Sequence, residues 1–433
     1  MKIAVIGLGK IGLPLAVQFA SKGHEVVGVD INQETVDLIN AAREPFPGEA
    51  NLAEYLAELV PARGLRATTD YADAIPTADV VVVVVPLFVD TEGAPDFDSM
   101  DSATRDLAAN LTKNTLIIYE TTLPVGTTRT RWRPILEVES GLTEGQDFHL
   151  AFSPERVLTG RVFEDLRKYP KLVGGLGADG TKAATSFYQQ VLDFDERPDL
   201  ERGNGVWDLG SAEAAEMAKL AETTYRDVNI GLANQFALFA ERAGIDVYAV
   251  IQAANSQPYS HIHAPGVSVG GHCIPIYPQL YLSNDPEATI VRAARNANKA
   301  MPRHAVDILQ AGLGSLDGLR IVVLGVAYRP GVKETAFSGA FDLQHELVQR
   351  GARVMAHDPL FRDEELRALG FQPYQFGNQL DGAIIHTGHD AYREISAAHL
   401  PGVQLLVDGR NLLAASYIDS FAVQQLGRPT VHR

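Results

Sequence analysis

Six consecutive valines, Val80 to Val85, place the tightest constraint on the fold of this chain. A strand with one face in solvent would alternate apolar and polar residues, so this uniform run predicts a strand buried on both faces. The segment from Thr115 to Glu120, TLIIYE, has the same character. Such strands occur in parallel sheets that helices cover on both sides. The sequence therefore predicts an α/β fold built on a doubly wound parallel sheet.

A second series of strands and helices begins near Leu319. The apolar runs LRIVVLGVAY, GARVMAHDP, GAIIHTG and VQLLVDGRN are separated by helical stretches, which predicts a second Rossmann-like domain. Between the two halves, residues 211–243 contain no proline, have apolar positions at helical spacing and precede Gly244, which predicts one long helix or two helices in line. We therefore expect two Rossmann-like doubly wound parallel-sheet domains joined by a long central helix, with domains at 1–200, 201–311 and 312–433.

Length and charge narrow the classes of function. A chain of 433 residues is too long for one hydrophobic core. Its formal net charge of -17 repels phosphate backbones, so nucleic acid is not expected as a partner. The sequence has neither an apolar stretch of about 20 residues nor the basic start of an export signal, so we expect a cytoplasmic protein without membrane association. The long helix is expected to form a homodimer or a higher homo-oligomer.

The segment GLGKIG, residues 7–12, follows a predicted strand and opens a predicted helix, and Asp30 ends the next strand. In a dinucleotide-binding turn the first glycine permits the tight bend, the second admits the pyrophosphate, and the third allows close packing of helix on strand. An acidic residue at position 30 accepts ribose hydroxyls and repels a 2′-phosphate, which favours NAD over NADP. The predicted cofactor-binding residues of this motif are Gly7, Gly9, Ile11, Gly12 and Asp30.

The only cysteine, Cys273, lies in the segment VGGHCIP. The paired glycines let the backbone approach a ligand closely, and one thiol without a disulfide partner suits a reducing compartment. A lone cysteine is nevertheless more often a small buried apolar residue than a nucleophile, so both interpretations stay open at this point. Lys219 on the long helix and Glu155 in SPER are ordinary surface charges when each is taken alone. Together with a thiol and NAD, they match the needs of a dehydrogenase that acts on a primary alcohol.

The turn from Tyr328 to Lys333 carries two cations, Arg329 and Lys333, after the first strand of the second sheet. No second GxGxxG motif is present there, which favours a ligand other than a dinucleotide. A phosphorylated ligand at the crevice of that sheet and a plain solvated turn are equally compatible with these residues.

The segments GGHCIP, SPERVL and KLAE and the N-terminal fingerprint occur in the same order in the UDP-glucose/GDP-mannose dehydrogenase family, which this chain resembles over nearly its whole length. The resemblance implies an N-terminal NAD domain, a C-terminal UDP-sugar domain and a long dimer helix. It also implies two successive NAD-dependent oxidations at C6 of a UDP-sugar, without release of the aldehyde.

The resemblance implies a role for each site residue. Cys273 captures the aldehyde as a thiohemiacetal that becomes a thioester, and Lys219 stabilises negative charge on the C6 oxygen. Glu155 serves the hydrolytic step, and Thr122 lies beside the nicotinamide. Arg329 stands where family members carry a nucleotide-binding lysine. The expected substrate-binding residues are Glu155, Arg156, Lys219, Gly270, Tyr328 and Arg329.

The segments SPERVLTG and YRDVNI resemble the UDP-N-acetylhexosamine branch, so UDP-N-acetylmannosamine or UDP-N-acetylglucosamine is the expected substrate. Four positions depart from the family pattern. Thr223 replaces an Asn and Tyr277 an Asp, and an Arg is common where Tyr259 and Ala336 stand. These departures leave open a UDP-glucose 6-dehydrogenase and a catalytically silent nucleotide-sugar binding protein.

Two other classes of protein fit the sequence less well. The β-hydroxyacid dehydrogenases also combine a Rossmann domain with a helical domain that carries a catalytic lysine, but they need neither the cysteine nor a second sheet domain. His261, His263 and His272 lie close together in the sequence, yet no carboxylate or second cysteine completes a set at ligand spacing, so no metal is expected.

Overall fold

A computed structural model of the protein describes residues 1–90, 93–413 and 422–429. The chain forms two compact units, the first from residues 1–222 and 279–284, the second from residues 223–278 and 285–433. The boundary lies within the long helix, between Glu222 and Thr223. The division into three domains, 1–200, 201–311 and 312–433, stays a prediction.

The first unit is an α/β structure. Its strands are β1 Lys2–Ile6, β2 Glu25–Val29, β3 Leu65–Thr68, β4 Val80–Val83, β5 Phe88–Val89, β6 Pro95–Asp96, β7 Leu116–Tyr119, β8 His149–Phe152, β9 Lys171–Gly175 and β10 Val206–Asp208. Its helices are α1 Gly12–Ser21, α2 Gln33–Asn40, α3 Leu52–Leu59, α4 Tyr71–Ala74, α5 Asp98–Ala109, α6 Arg133–Ser140, α7 Val162–Lys168 and α8 Ala178–Val191, and a π-helical turn, Thr128–Trp132, precedes α6.

Eight of these strands form one sheet in the order β10-β9-β8-β7-β4-β1-β2-β3, and β5 with β6 forms a separate antiparallel ribbon. The order reverses beside β1, which pairs with β2 on one side and β4 on the other. This is the arrangement of a Rossmann fold, in which ligands bind at the carboxyl ends of the strands next to the reversal. One pair departs from the parallel pattern, because β9 runs antiparallel to β8.

The first four valines of the run have the burial that its composition predicts, whereas Val84 and Val85, which follow the strand, are partly exposed. Val81, Val82 and Val83 are fully buried and Val80 is 4% exposed, with β1 and β7 as parallel neighbours. The strand ends at Val83, short of the full run. Side chains on one face of the sheet pack against α1 and α8, where Phe19 and Phe187 meet edge to face at 5.3 Å.

The second unit repeats the strand order of the first. Its strands are β11 Arg320–Leu324, β12 Arg353–His357, β13 Gln372–Pro373, β14 Gly382–Ile385, β15 Leu405–Asp408 and β16 Ala422–Gln425, in the order β13-β12-β11-β14-β15-β16 and all parallel. Its helices are α10 Val247–Ala254, α12 Thr289–Leu313, α13 Gly339–Gln349 and α14 Asp363–Ala368. The strand order reverses beside β11, which places a second crevice between the carboxyl ends of β11 and β14.

The predicted long helix is α9, Ala212–Ala243, with 32 residues, and α11 spans Tyr277–Asn284. Gly244 follows α9 with a φ of +71°, the left-handed conformation that ends a helix. The prediction of two Rossmann-like domains joined by a long central helix is confirmed. Within residues 1–90, 93–413 and 422–429, the protein has no helix that combines the length and apolar character of a membrane span.

The core of the second unit provides a test of this packing. Leu309 of α12 is fully buried against the second sheet, so Leu309→Ala should destabilise the protein by about 2–5 kcal/mol, since the cavity only partly collapses. Val348 of α13 is 56% exposed, and Val348→Ala should change stability by no more than about 0.5 kcal/mol. Urea unfolding followed by circular dichroism measures both. Equal effects of the two substitutions would contradict the packing described here.

Candidate active site

The glycine turn after β1 has the close contacts that a dinucleotide site requires. Gly7 has a φ of +91°, and a Cβ added at Gly12 would lie 1.8 Å from the Gly7 carbonyl oxygen, so the start of α1 packs directly on the turn. A Cβ added at Gly9 would meet no protein atom within 4 Å. Open space at this one glycine, beside the N-terminus of α1, is what a pyrophosphate group needs.

Asp30 directly follows β2, as predicted. Its Oδ2 accepts a hydrogen bond from the Leu8 amide at 2.8 Å, and its Oδ1 accepts one from the Asn32 amide at 2.9 Å. Each carboxylate oxygen retains a further lone pair, so both remain able to accept a ribose hydroxyl. Ile11 packs its half-buried side chain against the core. These residues fit NAD.

Thr122 lies in the loop after β7 and is 4% exposed. The same loop is fixed further along by Glu216 of α9, whose Oε1 accepts hydrogen bonds from the Thr128 hydroxyl at 2.6 Å and the Thr128 amide at 3.0 Å. Burial raises the pKa of Glu216 to about 7. Lys219 follows Glu216 by three residues on α9 and is 7% exposed. The loop that carries Thr122 and the helix that carries Lys219 are therefore fastened together.

Glu155 belongs to a buried charged cluster that sequence reasoning missed. The Lys171 ammonium donates to Glu120 Oε2 at 2.6 Å and to Glu155 Oε2 at 2.9 Å, and the Tyr188 hydroxyl donates to Glu120 Oε1. The exposed fractions of the three charged side chains are 5%, 0% and 11% for Lys171, Glu120 and Glu155. We call these four residues the Lys171 cluster. The sequence gives no signal for it, because its members are far apart along the chain.

The Lys171 cluster shifts the pKa values of its members. Burial raises the pKa of Glu120 to about 7. Burial also opposes ionisation of Glu155, but the Lys171 ammonium outweighs it and lowers the pKa of Glu155. The two carboxylates likewise overcome the burial of Lys171 and raise its pKa. Glu155 is thus the member best suited to be an anion near neutral pH.

Arg156, a predicted substrate-binding residue, has its guanidinium in contact with other groups of the first unit. Nε donates to Glu222 Oε2 at 2.9 Å, and NH1 donates to the Pro170 carbonyl at 3.2 Å. Its backbone amide donates to Glu155 Oε1 at 2.6 Å. The backbone of Arg156 thus orients Glu155, while its side chain binds α9.

The cysteine segment of the second unit lies against the loop after β11. The Gly271 amide donates to the Ala336 carbonyl at 2.8 Å, and a Cβ added at Gly270 would lie 2.8 Å from Tyr328 Cβ. His272 Nε2 lies 2.6 Å from Glu334 Oε1. Cys273, the free thiol, is partly exposed. The paired glycines thus allow close backbone packing, as the sequence predicts.

A buried polar network that the sequence did not predict holds the other side of this segment. Arg295 of α12 donates from NH1 to the Ile274 carbonyl at 3.0 Å and to Asp227 Oδ1 at 2.8 Å. Asn298 donates to the same carboxylate oxygen at 2.7 Å. Burial raises the pKa of Asp227 to about 6, although Arg295 acts against this rise. The residue after Cys273 is thereby tied to both α9 and α12.

A cavity of about 330 Å³ lies at the carboxyl ends of the strands of the second sheet. Its lining comprises Ile230, His263, Ala264, Gly266, Ser268, Val269, Gly270, Tyr328, Arg329 and Arg410. It brings together three predicted substrate-binding residues, Gly270, Tyr328 and Arg329, and adds Arg410. Desolvation lowers the pKa of Arg410 to about 10, which leaves it a cation at neutral pH. Lys333 does not line the cavity, and its ammonium lies 2.6 Å from Glu365.

The four atypical positions differ in their surroundings. Thr223 is buried on α9, Tyr277 begins α11, and Tyr259 is 92% exposed. Ala336 contacts the cysteine segment through its backbone carbonyl, a contact that any residue can make. In the described part of the chain, no group of three His, Cys, Asp or Glu side chains is arranged to hold a metal ion.

Comparisons with known proteins place most of the chain in one family. Three models of the UDP-glucose/GDP-mannose dehydrogenase family match: the NAD binding domain at residues 1–192, the central domain at 213–300 and the UDP binding domain at 322–415. A UDP-N-acetyl-D-mannosamine dehydrogenase of Pyrococcus horikoshii is 34% identical over 100% of both chains. An NDP-N-acetyl-D-galactosaminuronic acid dehydrogenase of Ralstonia nicotianae is 31% identical over 96% of this chain and 97% of its own.

Solved structures of nucleotide-sugar dehydrogenases are similar to this chain over nearly its whole length. The structure of the UDP-D-ManNAc dehydrogenase from Pyrococcus horikoshii has a TM-score of 0.88 and 32% identity over 99% of each chain. A UDP-glucose dehydrogenase from Pyrobaculum islandicum has a TM-score of 0.85 and 26% identity over 99% of this chain and 98% of that one.

The open space at Gly9 predicts a selective effect on NAD. Gly9→Ala should leave the fold intact, because the added methyl group touches no protein atom, but it should weaken NAD binding at least about tenfold by occupying the pyrophosphate position. Gly177→Ala is the matched control, since it also adds a methyl group in open space. Calorimetric titration with NAD measures both. Unchanged NAD affinity in Gly9→Ala would refute this position for the pyrophosphate.

Proposed function

Since this chain belongs to the UDP-glucose/GDP-mannose dehydrogenase family of NAD-dependent nucleotide-sugar dehydrogenases, we propose that it oxidises the C6 hydroxyl of UDP-N-acetylmannosamine to a carboxylate, with Cys273 as covalent catalyst. One observation carries the proposal. Val269 and Gly270 line the cavity of the second unit, and the only thiol of the chain follows three residues later on the same segment. A sugar joined to a nucleotide in that cavity is thus bound beside a segment with a nucleophile.

The nucleotide half of the substrate fits the cavity of the second unit. Arg329 and Arg410 supply two cations for a diphosphate, and guanidinium groups bind phosphate oxygens in a bidentate manner. The Tyr328 hydroxyl accepts a hydrogen bond from Arg329 Nε at 3.0 Å, which orients that guanidinium. The location matches the general rule that ligands of an open α/β sheet bind where the strand order reverses.

The chemistry proceeds in two oxidations and one hydrolysis. NAD, when bound, accepts the hydride that leaves C6 in each oxidation. Lys219 stabilises the negative charge on the C6 oxygen as its proton leaves. The Cys273 thiolate then adds to the carbonyl carbon of the aldehyde, and the resulting thiohemiacetal loses a second hydride and a proton to become a thioester. Water attacks the thioester with Glu155 as proton acceptor, which releases the carboxylate and the Cys273 thiol.

Different observations support the compartment of the reaction and the identity of the sugar. A single catalytic thiol needs reducing surroundings, so we place the reaction in the cytoplasm. Relatives named UDP-N-acetyl-D-mannosamine dehydrogenase support that sugar, and the similarity to one of them extends over the whole chain. UDP-N-acetylglucosamine and UDP-glucose are the competing substrates.

The proposal is tested by counting NADH. Purified protein is mixed with NAD and separately with UDP-N-acetylmannosamine, UDP-N-acetylglucosamine and UDP-glucose. We expect two NADH per sugar with the first, since two hydrides leave C6. Cys273→Ser should abolish net turnover, because an adduct formed through the serine oxygen cannot become a thioester. NAD binding without NADH from any of the three sugars would refute the function and favour a silent nucleotide-sugar binding protein or an untested sugar.

We also propose that α9 forms a homodimer with a second copy of the chain. Four apolar residues on one face of the part of α9 that belongs to the second unit are exposed, by 61% at Tyr225, 45% at Leu232, 37% at Phe236 and 59% at Phe239. Their spacings of seven, four and three residues form the seam along which two helices pack. An apolar stripe of this length on a helix surface is typical of a protein interface.

The dimer proposal predicts the effect of charges in the stripe. Phe236→Glu combined with Phe239→Glu should convert the protein to a monomer, because dimerisation would bury four carboxylates. Val348→Glu together with Val138→Glu places the same two charges on exposed apolar positions of other helices and should leave the dimer intact. Light scattering after size exclusion gives the mass. A monomeric wild type, or a dimer that survives both charges in the stripe, would refute the proposal.

A further inference from the structure

The stability of the fold does not by itself explain why the Lys171 cluster buries three ionisable groups. Removing a lysine and two carboxylates from water costs several kcal/mol for each ion, and apolar replacements of such groups are often neutral or stabilising. Hydrogen bonds from Lys171 and Tyr188 satisfy Glu120, whereas Glu155 remains 11% exposed. The cluster thus extends from the interior to one reachable carboxylate.

The direction of β9 creates this arrangement. Because β9 runs antiparallel to β8, its first residue lies beside the carboxyl end of β8. The register pairs Ala151 with Gly175 and Phe152 with Gly174, and its continuation brings Lys171 to Glu155. A parallel β9 would place its final residue at this edge of the sheet.

Other charged and titratable groups surround the loop of Glu155 but are engaged elsewhere. Arg156 pairs with Glu222, and its guanidinium lies 6.0 Å from the ring of Tyr169. Asp165 pairs with Arg161 at 2.6 Å and accepts the Leu158 amide. Among the described contacts of Glu155, the Lys171 ammonium supplies a direct ionic bond.

We propose that Lys171 is a positioning residue for Glu155: its ammonium holds the Glu155 carboxylate in place, and Glu120 in turn fixes that ammonium from the interior. This inference rests on the proposed role of Glu155 as proton acceptor in thioester hydrolysis. Lys171 does not need to touch the substrate. Glu155 takes a proton from the attacking water and releases it to solvent before the next turnover, so protons balance without a further acceptor.

Removal of the cation and removal of the Glu120 carboxyl therefore have different effects. Lys171→Met removes the cation that favours the Glu155 carboxylate, so the pKa of Glu155 rises and the acid limb of the pH-rate profile moves to higher pH, by about one unit or more. Burial raises the pKa of Glu120 to about 7, so Glu120 is already protonated where Glu155 titrates, and the near-isosteric Glu120→Gln should leave the acid limb in place. A purely structural role of Lys171 predicts lower activity without movement of the acid limb.

The experiment measures kcat and KM for UDP-N-acetylmannosamine and NAD between about pH 3 and pH 9 in the wild type and both variants, because the lowered pKa of Glu155 places the wild-type acid limb below its ordinary range. Lys171→Arg keeps the charge and should restore part of the wild-type profile. Tyr119→Phe is the control for loss of a buried polar group in the same sheet, since its hydroxyl contacts Thr104 and not Glu120. If Lys171→Met fails to fold, Lys171→Gln, which keeps a polar side chain but removes the charge, takes its place.

A second measurement identifies the step that is affected. In acid-quenched reactions of Lys171→Met, mass spectrometry should show the sugar nucleotide bound to Cys273, because slow hydrolysis lets the thioester accumulate. KM values should change less than kcat. A wild type that yields two NADH per sugar, with a Lys171→Met variant whose acid limb does not move and whose Cys273 carries no adduct, overturns this inference alone. A wild type that yields no NADH overturns the proposed function as well.

Discussion

The reversal of strand order beside the first strand of each sheet is the constraint on which the functional geometry depends. In the first unit β1 lies between β2 and β4, and in the second β11 lies between β12 and β14. Loops that leave the carboxyl ends at such a point diverge and open a crevice. The glycine turn with Asp30 follows β1 and β2, and Tyr328 with Arg329 follows β11. Two units of one architecture thereby present different residues in equivalent places.

Buried charges hold the loops that carry the proposed catalytic groups. Glu216 binds the loop of Thr122, Lys171 binds Glu155, and Arg295 with Asp227 binds the residue after Cys273. Each arrangement costs desolvation energy that an apolar core would not require. In exchange, charge-assisted hydrogen bonds fix a loop more sharply in direction than apolar contact does. Precise orientation of a few side chains is what acid-base and nucleophilic catalysis needs.

The atypical residues are compatible with this scaffold. Backbone groups make the contact at Ala336, and Thr223 is buried without disturbing α9. Tyr277 donates its amide to the Cys273 carbonyl at 2.9 Å, so the start of α11 remains connected to the cysteine. None of these positions disrupts the Lys171 cluster or the cavity of the second unit. These departures are therefore compatible with the fold that the structure describes.

The sequence by itself determined the structural features that depend on residues adjacent along the chain. The valine run predicted a buried strand, GLGKIG with Asp30 predicted the dinucleotide turn, and residues 211–243 predicted the long helix, because strand burial, tight turns and helical periodicity are all local properties. The motifs also identified Tyr328, Arg329 and Gly270, which line one cavity.

Only the tertiary structure decided which distant charges meet. Lys171 and Glu120 are separated by 51 residues, and Arg295 and Asp227 by 68. The cavity likewise brings Arg410 beside Tyr328 and Arg329. The direction of β9 placed Lys171 beside Glu155, and no residue pattern distinguishes a parallel from an antiparallel neighbour in a strand this short. Pairing direction depends on how the whole chain crosses the sheet, which is a long-range property that no local window of sequence contains.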